Sequence, residues 1–388
     1  MSDVCIISEF NPLHNGHAYI IGKARELGAE SVTCVMSGNS TQRGELSVVN
    51  KYLRAEAAVR CGADLVVELP YPWCSSGAEY FGRAAVSIAR HFGDTLLFGS
   101  ECGEVDTLRR AAEVCEQSDF KKAFEERQLM GEGAASAYVS CLKQHGFGEF
   151  SSNDLLAIAY LRAMIRLGVD MEAATVTRCG AAYNSESLVE GELQSATALR
   201  ECIARGDLIS LKKYIPAEMW EMIMSEESKG NLTRTEHIDT LILGFFRLAD
   251  SARLEGLAEC GGGIANRICD MARVSRSAEE LLRNVSTKRY TDARLRRAVL
   301  YCMTGVEKEH ISSLPRYTTL LAANAKGREL LARNRRQGGI QVVTKPADAP
   351  KECCQYELSQ RLDSIYALAR KNRLCDDDFF KTNAYIEK

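Results

Sequence analysis

The sequence lacks any apolar run of the roughly 18 residues that a membrane-spanning helix needs, so it does not predict a membrane protein. It also lacks a C-x-x-C pair and a histidine at metal-ligand spacing from a cysteine, although it contains 15 cysteines. The one close pair, Cys353 and Cys354, is adjacent and poorly placed for shared tetrahedral ligation, so no metal-ligating residue is predicted. The odd number of cysteines, and the lack of a basic leader before an apolar stretch, indicate free thiols in a reducing cytoplasm.

A strong charge of either sign is absent too. The formal net charge is -3 at pH 7, so a surface that binds nucleic acid would have to be a local patch. No internal repeat or low-complexity segment is evident. The length of 388 residues exceeds what one hydrophobic core usually serves, which favours two domains.

The first hundred residues alternate between two kinds of hydrophobic pattern. Short apolar runs predict strands and segments of helical period predict helices, the strands at 4–7, 32–36, 65–69 and 95–98 and the helices at 16–27, 51–61 and 78–91. Such alternation, with glycines in the connections, predicts βαβ units and a Rossmann-like, doubly wound α/β fold with a parallel sheet.

The pattern changes near residue 105. Three helical segments predict a helical insertion at about 105–170, before a strand at 174–178 and a helix at 195–204 complete a nucleotide-binding domain of residues 1–205. The remainder, 206–388, is predicted to form a mainly helical domain. It ends with a strand-like run at 340–344 and a charged helix at 357–372.

An H-x-G-H loop follows the first predicted strand, where His14 and His17 bracket Gly16. Glycine allows close approach of the backbone to a phosphate, and the helix N-terminus offers unpaired N–H groups to an anion. Imidazoles there can donate hydrogen bonds to phosphate oxygens. The alternative is that one histidine caps the helix and the other packs in the core, but two of them at a strand-to-helix turn favour an anion site.

A second turn has a related composition. In the run QSATALR, Ser195 and Thr197 stand at a predicted helix start and Arg200 follows about one turn later. Small hydroxyls can cap the helix and contact phosphate, while a guanidinium can bind two phosphate oxygens at once. An ordinary capped helix with a surface arginine is the alternative.

These two motifs resemble the signatures of the HIGH-type nucleotidyltransferase superfamily, which binds ATP on a Rossmann-like sheet and directs attack at its α-phosphate. The run EFNPLHNGH at 9–17 resembles, more narrowly, the opening of the tRNA(Met) cytidine acetate ligase family. Further segments extend the resemblance over nearly the full length, at 37–45, 54–56, 62–70, 98–101, 152–155 and 287–291. The resemblance implies activation of acetate by ATP to acetyl-adenylate. The acetyl group then passes to N4 of the wobble cytidine (position 34) of elongator tRNA(Met), forming N4-acetylcytidine.

The resemblance also implies site residues. ATP contacts carried over to this chain are Ile7, Ser8, Glu9, Phe10, Asn11, Pro12, Leu13, His14, Asn15, Gly16, His17, Ala18, Tyr19, Ile20, Gly99, Asn153, Arg178 and Cys179. Gly99 has the alternative of a turn glycine, and Asn153 that of a helix cap.

The expected catalytic groups are His14, His17, Thr197 and Arg200, which would stabilise charge at the reacting phosphate with Mg²⁺ bridging its oxygens. Glu9 or Asp64 would accept the proton of the cytidine amine, and the sequence does not choose between them.

Three positions depart from the family pattern. Ser40 stands where an aromatic residue is usual, Leu46 follows Glu45 where proline is usual, and Ser151-Ser152 replaces the more common Leu-Pro. These departures bear on loop details and on the identity of the acceptor more than on ATP binding.

Local basic residues mark the expected tRNA surface. Arg43, Lys51 and Arg54 lie near the expected active site, and a basic segment in the second domain includes Arg283, Lys288, Arg289, Arg294, Arg296 and Arg297, with Tyr290 as a stacking face. A second basic cluster is Arg328, Arg333, Arg335 and Arg336. The alternative for each cluster is a solvated helix face.

Two other functions fit parts of the sequence. One is a small-molecule nucleotidyltransferase that adenylylates a phosphate-bearing coenzyme precursor, although it would not need the long helical second domain. The other is a non-catalytic RNA-binding protein that retains a nucleotide-binding fold.

Overall fold

The computed structural model describes residues 3–177, 195–287, 290–373 and 384–387. Within them the strands form one mixed sheet in the order β5-β4-β1-β2-β3-β6-β7, with β8 paired to β6. The strands are β1 Asp3–Ser8, β2 Ser31–Ser37, β3 Leu65–Leu69, β4 Thr95–Ser100, β5 Glu172–Thr177, β6 Tyr317–Ala323, β7 Gln341–Val343 and β8 Tyr385–Ile386. Strands β1 to β5 are mutually parallel, and β6 runs antiparallel to β3.

Helices occupy most of the connections between these strands. They are α1 Asn15–Glu26, α2 Lys51–Arg60, α3 Ala78–Ala89, α4 Val105–Glu116, α5 Ser118–Leu129, α6 Ala134–Gln144, α7 Ser152–Leu167, α8 Ala196–Ala204, α9 Ala217–Lys229, α10 Asp239–Leu248, α11 Ser251–Leu254, α12 Ile264–Ala272, α13 Ala278–Val285, α14 Asp292–Thr304, α15 Lys308–Ser312, α16 Ala325–Arg336 and α17 Cys354–Leu368. Short 3₁₀ turns lie at Trp73–Ser75, Ser210–Lys213, Thr235–Ile238 and Pro346–Asp348. The predicted α/β fold is confirmed, including the helical insertion, which is α4 to α7 between β4 and β5.

The sheet is buried on both faces, as expected for parallel strands between helices. Cys5 and Val35 face one core cluster, which includes residues of α3, α4 and α7. Val4 and Ile6 face a second cluster, which includes residues of α1, α2, α8 and α9. A third cluster joins α10 to α14 with the end of α17. No helix in the described part of the chain has both the length and the apolar character to cross a membrane.

Two strands, β6 and β8, were not predicted from the sequence. β6 lies within the stretch interpreted as mostly helical up to residue 336, and it pairs with β3 near the edge of the sheet. The strand-like run at 340–344 is confirmed as β7. Strands β6 to β8 come from beyond residue 205, so the sheet draws on both parts of the chain, and the domain division at that residue stays a prediction.

Parallel strands place their carboxyl ends at one edge of the sheet, where α/β proteins bind ligands. β1, β2 and β4 end there at Ser8, Ser37 and Ser100, and Ser100 pairs with Thr177 at the end of β5. The H-x-G-H loop leaves this edge directly after Ser8. The expected nucleotide site therefore lies in a single region at this edge of the sheet.

Candidate nucleotide-binding site

The H-x-G-H loop closes the first turn of α1 with its own imidazoles. His14 is the N-cap residue, and its Nδ1 accepts a hydrogen bond from the Gly16 N–H at 3.1 Å. His17 Nδ1 accepts from the His14 N–H at 3.3 Å, which completes a capping box. Capping therefore accounts for the Nδ1 atom of each histidine. These caps do not use the Nε2 atoms.

The hydrogen bonds of the two histidines fix where each neutral ring carries its proton. Because both Nδ1 atoms accept from backbone N–H groups, the proton of a neutral ring lies on Nε2. The rings stack with centroids 3.7 Å apart, and the ring of Phe10 meets His17 edge-on at 4.9 Å. The site thus holds two oriented Nε2–H donors side by side.

Asn11 anchors this loop to the segment before α2. Its Oδ1 accepts a hydrogen bond from the Val48 N–H at 2.8 Å, and the side chain is only 2% exposed. The Asn11-Pro12 peptide is cis, and Phe10 has a positive φ of 48°. A non-glycine residue at positive φ is strained, and such strain concentrates at functional sites.

The second motif meets the first in space. Ser195 caps α8 by accepting from the Ala198 N–H at 3.1 Å. Arg200 Nη2 donates to Thr197 Oγ1 at 3.2 Å, and Nη1 donates to the Asn11 carbonyl at 3.1 Å. Motifs almost 190 residues apart are therefore joined by a direct hydrogen bond between Arg200 and the H-x-G-H loop.

The expected ATP contacts at the ends of β4 and α7 also lie at this edge. Gly99 is inside β4 and pairs with Val176, so it is not a turn glycine. The cap of α7 is Ser151, so Asn153 is not the cap; its Nδ2 donates to Glu101 Oε1 at 2.6 Å. Both alternative interpretations are therefore wrong. Arg178 and Cys179 lie outside the described residues.

Glu9 and Asp64 lie at opposite edges of the sheet. Glu9 follows β1 at the carboxyl edge, and its Oε1 accepts from the Gln42 N–H at 2.6 Å. Burial raises the pKa of Glu9 above its usual value, against the opposing effects of the Gln42 hydrogen bond and the Arg200 charge. Asp64 precedes β3, accepts from the Val32 N–H at 2.7 Å and pairs with Arg25. Of these two carboxylates, only Glu9 lies at the edge of the sheet from which the H-x-G-H loop leaves.

The structure does not support the prediction that Arg54 contacts tRNA. Its side chain is completely buried and donates to the backbone carbonyls of Glu9, Ser37, Gly38 and Val49. Burial lowers the pKa of its guanidinium to about 10. The side chain holds together the loops that follow β1 and β2, and it is not available to a phosphate.

Lys51 is a second residue whose predicted contact with tRNA the structure does not support. Its Nζ lies 2.8 Å from Glu68 Oε1 and 3.1 Å from Asp363 Oδ2, and the residue is 4% exposed. Asn39 Nδ2 donates to the other Asp363 oxygen at 2.8 Å. Burial lowers the pKa of Lys51, but the Asp363 and Glu68 carboxylates outweigh it and hold this pKa well above its usual value. Lys51 therefore ties α2 to β3 and α17.

The basic residues of α14 are largely paired with acidic ones. Arg297 is 7% exposed, binds Glu259 through Nε at 3.0 Å and Nη2 at 3.1 Å, and is not a surface contact for tRNA as predicted. Arg294 lies 3.6 Å from Glu259 and over the ring of Tyr290 at 5.1 Å. Arg296 pairs with Glu45 at 3.3 Å. Lys288 and Arg289 lie outside the described residues.

The second basic cluster lies at the other edge of the sheet. Arg333 Nη1 pairs with Asp3 Oδ2 at 2.6 Å, at the amino end of β1. Exposed Arg335 and Arg336 follow in the last turn of α16. This cluster is therefore on the side opposite the H-x-G-H loop.

The structure brings to Arg200 a further residue, Glu45, that the sequence did not single out as a candidate site residue. Its Oε2 lies 3.1 Å from Arg200 Nη2. The sequence signal was its charge within the 37–45 segment. Ser40, the departure in that segment, is fully buried and accepts a hydrogen bond from Ser75 Oγ at 2.7 Å.

The chain is similar in sequence to known proteins over nearly its full length. The family model of the HIGH nucleotidyl transferases matches residues 1–378. A tRNA(Met) cytidine acetate ligase of Caldicellulosiruptor bescii is 34% identical over 401 residues, covering 98% of both chains. Its counterpart in Acetivibrio thermocellus is 32% identical, covering 95% of both.

Two solved structures are similar to the whole chain. The apo crystal structure of Thermotoga maritima TmcAL is similar with a TM-score of 0.92 and 28% identity, over 100% of both chains. The structure of the same protein bound with alpha-thio ATP has a TM-score of 0.89 and 26% identity, again over 100% of both chains.

Proposed function

The chain belongs to the tRNA(Met) cytidine acetate ligase family of HIGH nucleotidyl transferases, and from this premise we propose how its own residues perform that reaction. The enzyme is an ATP-dependent ligase that activates acetate as acetyl-adenylate and transfers the acetyl group to N4 of cytidine 34 in elongator tRNA(Met). The observation that carries the proposal is the hydrogen bond from Arg200 to the Asn11 carbonyl, which brings the two nucleotide motifs together.

In the activation step an acetate oxygen attacks the α-phosphorus of ATP, and pyrophosphate leaves. The Nε2–H groups of His14 and His17 donate to the oxygens on which charge builds. Thr197 and Arg200 bind the departing β- and γ-phosphates from the other side, where a guanidinium can hold two oxygens. The first N–H groups of α1 are already hydrogen-bonded within the protein, so the helix contributes only the favourable direction of its dipole to the same anion site.

Mg²⁺, when bound with ATP, would offset the negative charge of the phosphates in this step. The described residues contain no group of three or more His, Cys, Asp or Glu side chains that could hold a metal by themselves. The described side chains would therefore not hold the ion by themselves, and the proposed contribution of Thr197 and Arg200 is to orient the phosphates of ATP.

In the transfer step the cytidine N4 attacks the acetyl carbonyl, and AMP leaves. This amine is a weak nucleophile because its lone pair is delocalised into the ring, so the mixed anhydride provides the driving force. Glu9 accepts the amine proton: it lies beside the H-x-G-H loop, and burial raises its pKa toward the range useful for a base. Asp64 is excluded from this role by its place at the other edge of the sheet.

We expect Glu9→Gln to separate the two steps. Glutamine keeps an oxygen that accepts from the Gln42 N–H, so the loop stays in place, but it cannot take a proton. Acetate-dependent ATP–pyrophosphate exchange should stay within about twofold, while acetyl transfer falls by about 100-fold or more. Because the base must be ionised, the transfer rate of the unmodified enzyme should fall as pH drops through the raised pKa of Glu9. An equal loss of exchange and transfer in the variant would contradict this role.

The tRNA surface proposed from these positions is narrower than the sequence alone indicated. Arg43 lies in the loop that contacts Glu9, and Arg294 and Arg296 are partly exposed on α14. These three are the candidates for phosphate contacts among the described residues, and Lys288 and Arg289, outside them, stay predictions from the sequence. Tyr290, beside Arg294, offers a face on which a splayed base can stack.

A substrate test separates this proposal from a small-molecule nucleotidyltransferase. Pyrophosphate exchange with ATP is measured with acetate, with nicotinamide mononucleotide or with phosphopantetheine as the second substrate. We expect exchange with acetate alone. Exchange with either coenzyme precursor but not with acetate would overturn the proposal.

A further inference from the structure

The loop of residues 39–47, here called the bridging loop, connects the nucleotide site to α14 by two separate routes. The first route is the backbone of Gln42. Its N–H donates to Glu9 at 2.6 Å, and the carbonyl of the same residue accepts from Arg297 Nη1 at 3.2 Å. The backbone of the loop thus spans the gap between β1 and α14.

The second route is the carboxylate of Glu45. One oxygen lies 3.1 Å from Arg200 Nη2, and the other lies 3.3 Å from Arg296 Nη1. The Glu45, Arg200 and Arg296 side chains are 25%, 20% and 34% exposed, so the pairs are only partly screened by solvent. One negative charge is therefore shared between two cations, one in the nucleotide site and one on the proposed tRNA surface.

Close packing holds the bridging loop against α14. Gly44 has a φ of 74°, and a Cβ added there would lie 2.6 Å from the Arg297 backbone nitrogen and 2.8 Å from the Arg296 carbonyl carbon. Only glycine allows this approach. Glu45 is the next residue, so its position between the two arginines is set by the backbone.

We propose that Glu45 is a positioning residue that couples the phosphates of ATP to the binding of tRNA. When Arg200 binds the β- and γ-phosphates, their negative charge repels Glu45, which then pairs with Arg296 alone. When pyrophosphate has left, Arg200 shares the charge of Glu45 again, as in this structure, and Glu45 then competes less strongly with a tRNA phosphate for Arg296. This inference rests on the proposed binding of ATP phosphates by Arg200.

The arrangement gives the reaction an order. tRNA binds more weakly while the triphosphate is present and more tightly once the adenylate has formed. Linkage requires the reverse effect as well, so bound tRNA weakens the binding of the triphosphate by the same factor.

The test is the affinity of the enzyme for an elongator tRNA(Met) transcript in the presence of two nucleotides. One is α,β-methylene-ATP, which keeps three phosphates and cannot release pyrophosphate; the other is AMP, which lacks the β- and γ-phosphates. Couplings between sites are typically about 5- to 150-fold, so we expect the dissociation constant to be about fivefold or more higher with the triphosphate. Glu45→Gln should reduce this ratio to about one.

Three further variants complete the design. Glu227→Gln removes another partly exposed carboxylate that pairs with an arginine, Arg234, at 3.3 Å, and it should keep the ratio of the unmodified enzyme. Arg296→Gln should weaken binding in AMP and abolish the ratio without depending on how well Glu45→Gln folds. Arg200→Gln should lose acetate-dependent ATP–pyrophosphate exchange.

The outcomes distinguish the proposed role of Arg200 in ATP binding from the proposed coupling to tRNA. Normal exchange in Arg200→Gln would overturn the proposed role of Arg200 in ATP binding. Loss of exchange in that variant, together with a ratio of about one in the unmodified enzyme, would overturn the coupling alone. A ratio that persists in both Glu45→Gln and Arg296→Gln would also overturn it.

Discussion

Replacing His14 or His17 by asparagine should lower acetate-dependent ATP–pyrophosphate exchange by about 100- to 1,000-fold, the usual cost of removing one oriented donor from a site of developing charge. At position 14 asparagine is a good N-cap, and at either position its Oδ1 replaces the acceptor that Nδ1 now provides. It has no group in the place of Nε2–H. The variants should therefore fold like the unmodified enzyme and fail at the activation step.

His237→Asn is the matched control for these two variants. His237 lies in a 3₁₀ turn of the second part of the chain, where its Nδ1 contacts the Ala369 carbonyl at 3.1 Å. Its replacement should leave exchange within about twofold. Exchange at the unmodified rate in both the His14 and the His17 variant would contradict their catalytic assignment.

Lys51→Met should lower the free energy of unfolding by about 3–5 kcal/mol, because it leaves two buried carboxylates without their cation. Burial already raises the pKa of Asp363, and Lys51 opposes that rise. Urea unfolding followed by tryptophan fluorescence measures the change. The effect belongs to the fold, since the Lys51 ammonium has no direct part in the proposed reaction.

Two companion variants identify the origin of that loss. Adding Glu68→Gln and Asp363→Asn to Lys51→Met removes the uncompensated charges and should restore part of the lost stability. Lys23→Met breaks an exposed pair with Glu26 and should leave stability nearly unchanged. If Lys51→Met were as mild as Lys23→Met, the buried ion cluster would not be a source of stability.

The local patterns were sufficient for the first half of the fold. Strands β1 to β4 are short apolar runs bounded by turn residues, and each is followed by a segment of clear helical period. β6 was missed because its run, YTTLLAA, lies among helices and pairs with a strand about 250 residues away. Pairing at that separation leaves no periodic signal in the sequence around it.

The residues of the candidate site also fall into two groups, those that a local motif predicts and those whose role depends on a partner far away in the sequence. His14 and Arg200 could be proposed as site residues because each stands in a motif whose residue types and spacing suit a phosphate. Lys51, Arg54 and Arg297 were misinterpreted as tRNA contacts because a basic residue looks alike whether it is exposed or buried. What decides its role is its partner, and for Lys51 that partner, Asp363, is 312 residues away.

The most direct test of the proposed function is nucleoside mass spectrometry of an elongator tRNA(Met) transcript incubated with the enzyme, ATP and ¹³C-labelled acetate. We predict labelled N4-acetylcytidine at position 34 and one AMP formed for each acetyl group transferred. A transcript that carries no labelled acetylcytidine, while the enzyme binds ATP and the tRNA normally, would contradict the proposed function.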